Sequence, residues 1–119
     1  MKQAAILIVD DNPEIREIIQ ILLTGEGFQV HEAANGTQAL SQLKENIFDL
    51  IILDIMMPGL NGYQTCVEMR KLTNAPILFQ NVSGISAARC DSLLYGKLSG
   101  KFSKVFRQKA ILYADYSIV

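Results

Sequence analysis

The chain has 119 residues, half of them hydrophobic, and a formal net charge of −1. That length fits one domain able to bury a core, and the near balance of charge argues against a nucleic-acid binder working through bulk charge. Cys66 and Cys90 form no CxxC pair, so a zinc site is not expected and a reducing compartment is the simplest reading.

The apolar run Ala5–Val9 reads as a buried strand. It is cut off by Asp10 and Asp11, too short for a signal peptide. No apolar stretch approaches the ~20 residues of a membrane span, so no membrane contact is expected and the expected location is cytoplasmic. Asn12-Pro13 opens a helix, Asn as N-cap and Pro at the first helical position. Ile15, Ile18, Ile19, Leu22 and Leu23 then recur on one helical face, and Gly25 or Gly27 ends the helix. Phe28–Ala33 is a second, more polar strand that suits an edge, with His31 read as a surface residue. Asn35-Gly36 leads into a helix carrying Ala39, Leu40 and Leu43. Leu50–Leu53 is a third strand. A helix follows from about Gly62 to Leu72, with Tyr63, Cys66, Val67 and Met69 as candidate core residues, and Ala75–Phe79 is a fourth strand.

Beyond Gln80 the pattern thins. A helix near Ser86–Tyr95, a short fifth strand at Lys101–Val105 and a final helix over Arg107–Tyr116 are the readings it allows. Strand–helix alternation predicts a doubly wound parallel sheet with helices on both faces. An edge position for the second strand favours the flavodoxin-like order 2-1-3-4-5, in a single domain over residues 1–119. This order places strands one and three together at the topological switch point, where ligands bind outside the carboxyl ends of the strands.

Asp54 closes the third strand as Asp10-Asp11 closes the first, so three carboxylates are expected at one sheet edge. Like charges raise each other's pKa, and a bound cation reverses that. Oxygen-only ligands suit magnesium. With the phosphoryl oxygens neutralised, Asp54 could attack phosphorus as a carboxylate nucleophile. The bland alternatives are helix capping by Asp11-Asn12-Pro13 and an Asp54 bonded only to backbone amides.

Ile8-Val9-Asp10-Asp11, followed by Leu53-Asp54-Ile55-Met56-Met57-Pro58-Gly59-Leu60-Asn61-Gly62, resembles the receiver domain of two-component response regulators. The resemblance runs from Lys2 to Phe79 and is weak after Gln80. It implies a CheY-like fold and a phosphoprotein in which Asp54 accepts a phosphoryl group from a sensor histidine kinase. It also implies that Asp10, Asp11, Asp54 and the backbone carbonyl of Met56 hold Mg2+. The family's hydroxyl residue at the end of strand four falls on Asn81, with Ser83 two residues on. Its lysine at the end of strand five is best matched by Lys104, where Val105 replaces the usual proline, and Phe102 is the candidate switch aromatic. Receivers catalyse only their own phosphorylation and dephosphorylation. Many pair through the face of helix 4, strand 5 and helix 5, and many regulate transcription through an output domain, which these residues do not include. Natural divergence, a changed reading frame and a replaced tail all fit the break at Gln80.

Two other functions compete. One is a receiver-like interaction module that no longer switches on phosphorylation, suggested by Asn81 and Val105. The other is an aspartate phosphohydrolase, which would need an acid two residues after the nucleophile, where Met56 stands.

Overall fold

A computed structural model of the chain describes residues 3–54, 57, 62–81 and 84–87, with side chains described except at 62, 63, 80, 81 and 84–87. Strand β1 (Ala5–Val9), helix α1 (Pro13–Gly25), β2 (Gln29–Ala33), α2 (Gly36–Glu45), β3 (Leu50–Asp54), α3 (Gly62–Arg70), β4 (Ile77–Asn81) and β5 (Gly84–Ala87) follow in that order. The sheet order is β2-β1-β3-β4-β5, with β1 to β4 parallel. This is the expected flavodoxin-like order.

The fifth position differs in origin. β5 runs antiparallel to β4, with Asn81 opposite Gly84 and Leu78 opposite Ala87. Ser86 and Ala87 are therefore strand, not the start of a helix. Gly84 to Ala87 pairs directly with the exposed edge of β4, and that ladder outweighs the weak helical periodicity of the segment. β4 also begins two residues later than its apolar pattern suggested. The expected strand at Lys101–Val105, the helix over Arg107–Tyr116 and the expected dimer face lie outside the described residues.

Residues of β1 and β3 alternate between two cores, as the period of a strand requires. Leu7, Val9, Ile51, Leu53, Ile77 and Phe79 pack with Ala39, Leu43, Cys66 and Met69 of α2 and α3. Ile6, Ile8, Leu50, Ile52 and Leu78 pack with Ile19 and Leu23 of α1 and with Phe28. Coverage of both faces is why these strands read as unbroken apolar runs. Cys66 is fully buried in the first core. His31 is half-buried, not a surface residue, with its ring edge-on to Phe48 at 5.2 Å.

The helices start and stop where their local chemistry says. Asn12 Oδ1 accepts from the N–H groups of Glu14 (2.9 Å) and Ile15 (3.4 Å), and Pro13 fills the first helical position. α1 ends in a Schellman arrangement: Phe28 N–H donates to Leu23 O, Gly27 N–H donates to Thr24 O, and Gly27 adopts φ of 91°. Leu23 and Phe28 then meet in the second core. At α2, Asn35 Oδ1 accepts from Gln38 N–H while Gln38 Oε1 accepts from Ala34 N–H, both at 2.8 Å.

Two helical faces were read too broadly. Ile19 and Leu23 are fully buried, with Ile15 packed beside them, but Ile18 and Leu22 are 51% and 36% exposed. The i, i+4 row through 15, 19 and 23 meets the sheet, and the row through 18 and 22 lies a step around the helix. Val67 is 53% exposed for the same reason, while Thr65 on the inner side is buried. Among the described residues, no helix is long and apolar enough to cross a membrane.

These placements predict stabilities. Ile8→Ala, at a site with 0% exposure, should cost about 2–5 kcal/mol in urea unfolding. Asn12→Ala should cost about 1 kcal/mol through the lost cap. Ile21→Ala, on a residue 58% exposed, should stay within about 0.5 kcal/mol of the parent.

Candidate functional site

Parallel pairing of β1 with β3 sets Val9 opposite Leu53. Asp10 directly follows β1, and the last residue of β3 is Asp54. Both strands thus deliver a carboxylate at the same sheet edge, and Asp11 adds a third. One carboxylate oxygen from each of Asp10, Asp11 and Asp54 lies within 4.8 Å of the others. Asp10 is buried, Asp54 intermediate and Asp11 exposed.

Local hydrogen bonds fix the chain here. Asp10 N–H donates to Ala33 O at 3.1 Å, extending the β1–β2 ladder by one residue. Asn12 N–H donates to Asp10 Oδ1 at 2.9 Å, closing an Asx turn. Arg16 Nη1 donates to the Asp10 carbonyl at 2.7 Å, and its Nε donates to Glu32 Oε1 at 3.2 Å.

The electrostatic cost of the cluster is large. Two unit charges at such separations repel by about 3 kcal/mol at an effective dielectric near 20, and a domain's whole stability is about 5–15 kcal/mol. The response falls on the most buried member. Burial pushes the Asp10 carboxyl up from 3.8 to about 6, against the lowering effect of the Asn12 N–H. The charges of Asp54 and Asp11 and a hydrogen bond with the Asp54 carboxyl are smaller contributions to that same rise. Below about pH 6 the group holds a proton, and a bound cation can take the proton's place. Three hard oxygen donors around one point fit a magnesium-type ion.

Of the other residues singled out by sequence, Asn81 is the last residue of β4, one beyond Gln80, which pairs with Asp54. The Asn81 side chain lies outside the described residues, as do Met56, Ser83, Phe102, Lys104 and Val105. Arg16 and Glu32 were missed. The available signal was electrostatic: a cation near the start of a helix runs against the helix dipole, so an arginine there must have another partner.

The response regulator receiver domain model matches residues 6–113. The chain is 42% identical over 91 residues to the uncharacterized transcriptional regulatory protein YrkP of Bacillus subtilis, covering 76% of this chain and 39% of that protein. It is 42% identical over 73 residues to the DNA-binding response regulator MtrA of Mycolicibacterium smegmatis, covering 61% and 32%. The chain thus spans about a third to two-fifths of the length of these curated relatives. Among solved structures it is similar to the response regulator TrrA of Thermotoga maritima, described in complex with Mg(2+)-BeF. That match has 30% identity and a TM-score of 0.63, over 98% of this chain and 86% of that one. With the family's model matching most of its length and the acidic residues gathered at one sheet edge, the chain belongs to the response regulator receiver domain family.

Proposed function

We propose that this receiver domain is a phosphoacceptor that takes a phosphoryl group onto Asp54 from a phosphohistidine on a sensor kinase. The convergence of the Asp10, Asp11 and Asp54 oxygens within 4.8 Å carries the reading. An Asp54 oxygen forms the new bond to phosphorus as the N–P bond breaks. The electron pair stays on the imidazole nitrogen, which then takes a proton from solvent. Water later attacks the acyl phosphate and restores the carboxylate.

Asp10, Asp11, Asp54 and the Met56 carbonyl would hold Mg2+. When bound, the ion supplies the positive charge that offsets the phosphoryl oxygens. Lys104 would contribute a second positive charge, and the Asn81 amide a hydrogen-bond donor in place of a hydroxyl. The chain catalyses only its own modification and turns over no outside substrate. The names of the relatives support an output in transcription, carried by the part of such proteins beyond the stretch this chain matches. We place the protein in the cytoplasm, where a kinase would meet it.

The full chain with acetyl phosphate and Mg2+ should gain one phosphoryl group by intact mass. Asp54→Asn should gain none, and chelation should abolish the gain in the parent. A folded, magnesium-binding chain that gains nothing overturns the phosphoacceptor role and leaves an interaction module.

The site also predicts a pH dependence. With its carboxyl raised to about 6, Asp10 in the folded chain keeps a proton that the unfolded chain releases near 3.8. The folded state then binds more protons across that window, so this group's contribution to stability falls as pH rises from about 4 to about 6. Other carboxylates titrate there too, so the comparison is with Asp10→Asn. Without magnesium, the parent's urea midpoint should drop relative to the variant's as pH rises through the window. Saturating Mg2+ should reverse that relative drop.

A further inference from the structure

Among the described residues, Arg16 stands out because it bonds the backbone of the acidic turn itself. Its Nη1 donates to the Asp10 carbonyl at 2.7 Å while its Nε donates to Glu32 Oε1 at 3.2 Å. It ties three elements together at the carboxyl edge: the end of β1, the first part of α1, and β2, where Glu32 lies opposite Ile8.

As a salt bridge this pair is weak. The side chains are 18% and 42% exposed, and partly exposed pairs of that kind add little to stability. Its geometric effect is larger. Asp10 is 3% exposed, and its carbonyl lies past the end of the β1 ladder, where a buried acceptor without a donor is costly. The guanidinium fork supplies that donor while gripping a second acceptor, which a lysine ammonium does not reproduce. Together with Asp10 N–H to Ala33 O and Asn12 N–H to Asp10 Oδ1, the Arg16 bond sets the Asp10–Asp11 peptide plane. The exposed Asp11 carboxylate then takes its aim from that plane.

We infer that Arg16 is a positioning residue for the acidic cluster: bonded to the Asp10 carbonyl and braced by Glu32, it fixes the turn that aims Asp10 and Asp11 at a shared cation. The inference rests on the reading of the cluster as a magnesium site. Outer groups that orient ligands typically alter metal affinity by about 10–100-fold when removed.

The sign of the effect separates this role from its rivals. Deleting a positive charge beside a cation site should, by charge alone, tighten binding. A purely structural tether should lower stability and leave affinity unchanged. Positioning predicts that Arg16→Ala weakens Mg2+ binding by about 10-fold or more. Calorimetric titration of the full chain with Mg2+ reads this directly, with thermal unfolding of the magnesium-free chain alongside. The brace gives a second pair of variants. Glu32→Ala should weaken binding several-fold, and Glu32→Gln, which keeps an acceptor for Arg16 and loses only the charge, should recover most of it. The Glu32 pair decides the matter if Arg16→Ala does not fold. In phosphorylation by acetyl phosphate, the half-saturating Mg2+ concentration should rise in Arg16→Ala while the rate at saturating Mg2+ stays near the parent's. A parent that binds no Mg2+ refutes the reading of the cluster. A parent that binds, with Arg16→Ala binding as tightly or more tightly, refutes the role of Arg16 alone, as does a Glu32→Gln indistinguishable from Glu32→Ala.

Discussion

The pairing of β1 with β3 is the constraint on which the site depends. A one-residue slip of either strand would exchange its two faces. Leu7 and Val9 would then leave one core, and Ile6 and Ile8 the other. Both faces are buried, so the register is held by two sets of packed side chains. That register sets Val9 against Leu53 and leaves Asp10 and Asp54 adjacent at the carboxyl edge. Hydrophobic packing, with no chemistry of its own, thereby gathers three like charges that would not come together unaided.

The far end of the same strands is built differently. Ala5 N–H donates to Asp49 Oδ2 at 2.8 Å, and Asp49 N–H donates to the Ala5 carbonyl at 2.7 Å. That single carboxylate is satisfied by backbone and stabilises the pairing. At the carboxyl end, each carboxylate has another as a neighbour, and the Asp10 carboxyl is raised to about 6. The two ends contrast an aspartate satisfied by backbone with aspartates crowded against one another.

Much of this was legible in the residues, for identifiable reasons. Strands buried on both faces announce themselves as apolar runs, and the polar Gln29, His31 and Glu32 mark an edge. The order 2-1-3-4-5 and the meeting of Asp10, Asp11 and Asp54 follow from those two facts. Helical spacing is a poorer guide. Ile18, Leu22 and Val67 carry apolar side chains at core-like intervals, yet the packed face is narrower than the pattern. β5 was not legible because its four residues, Gly84–Ala87, owe their strand to the β4 edge and not to any period of their own. Arg16 escaped notice because its bonds reach the Asp10 carbonyl and a residue sixteen positions away.

In the proposed phosphoacceptor role, the cluster's self-repulsion would let so small an arrangement act as a switch. Its energy would change sharply with each proposed occupant: a proton on Asp10, a cation among the three oxygens, or a phosphoryl group on Asp54. Each change is several kcal/mol at these separations, comparable to the gap between two folded arrangements of one domain. A rigid frame is needed to deliver that energy to the rest of the fold instead of losing it in local motion. On the β2 side, Arg16 and Glu32 supply the frame. On the β4 side, the ladder that pairs Asp54 with Gln80 extends through Asn81 to Gly84, so the neighbouring strand end is held from both edges. Charge rearranged at Asp54 therefore meets backbone that is already braced on either flank.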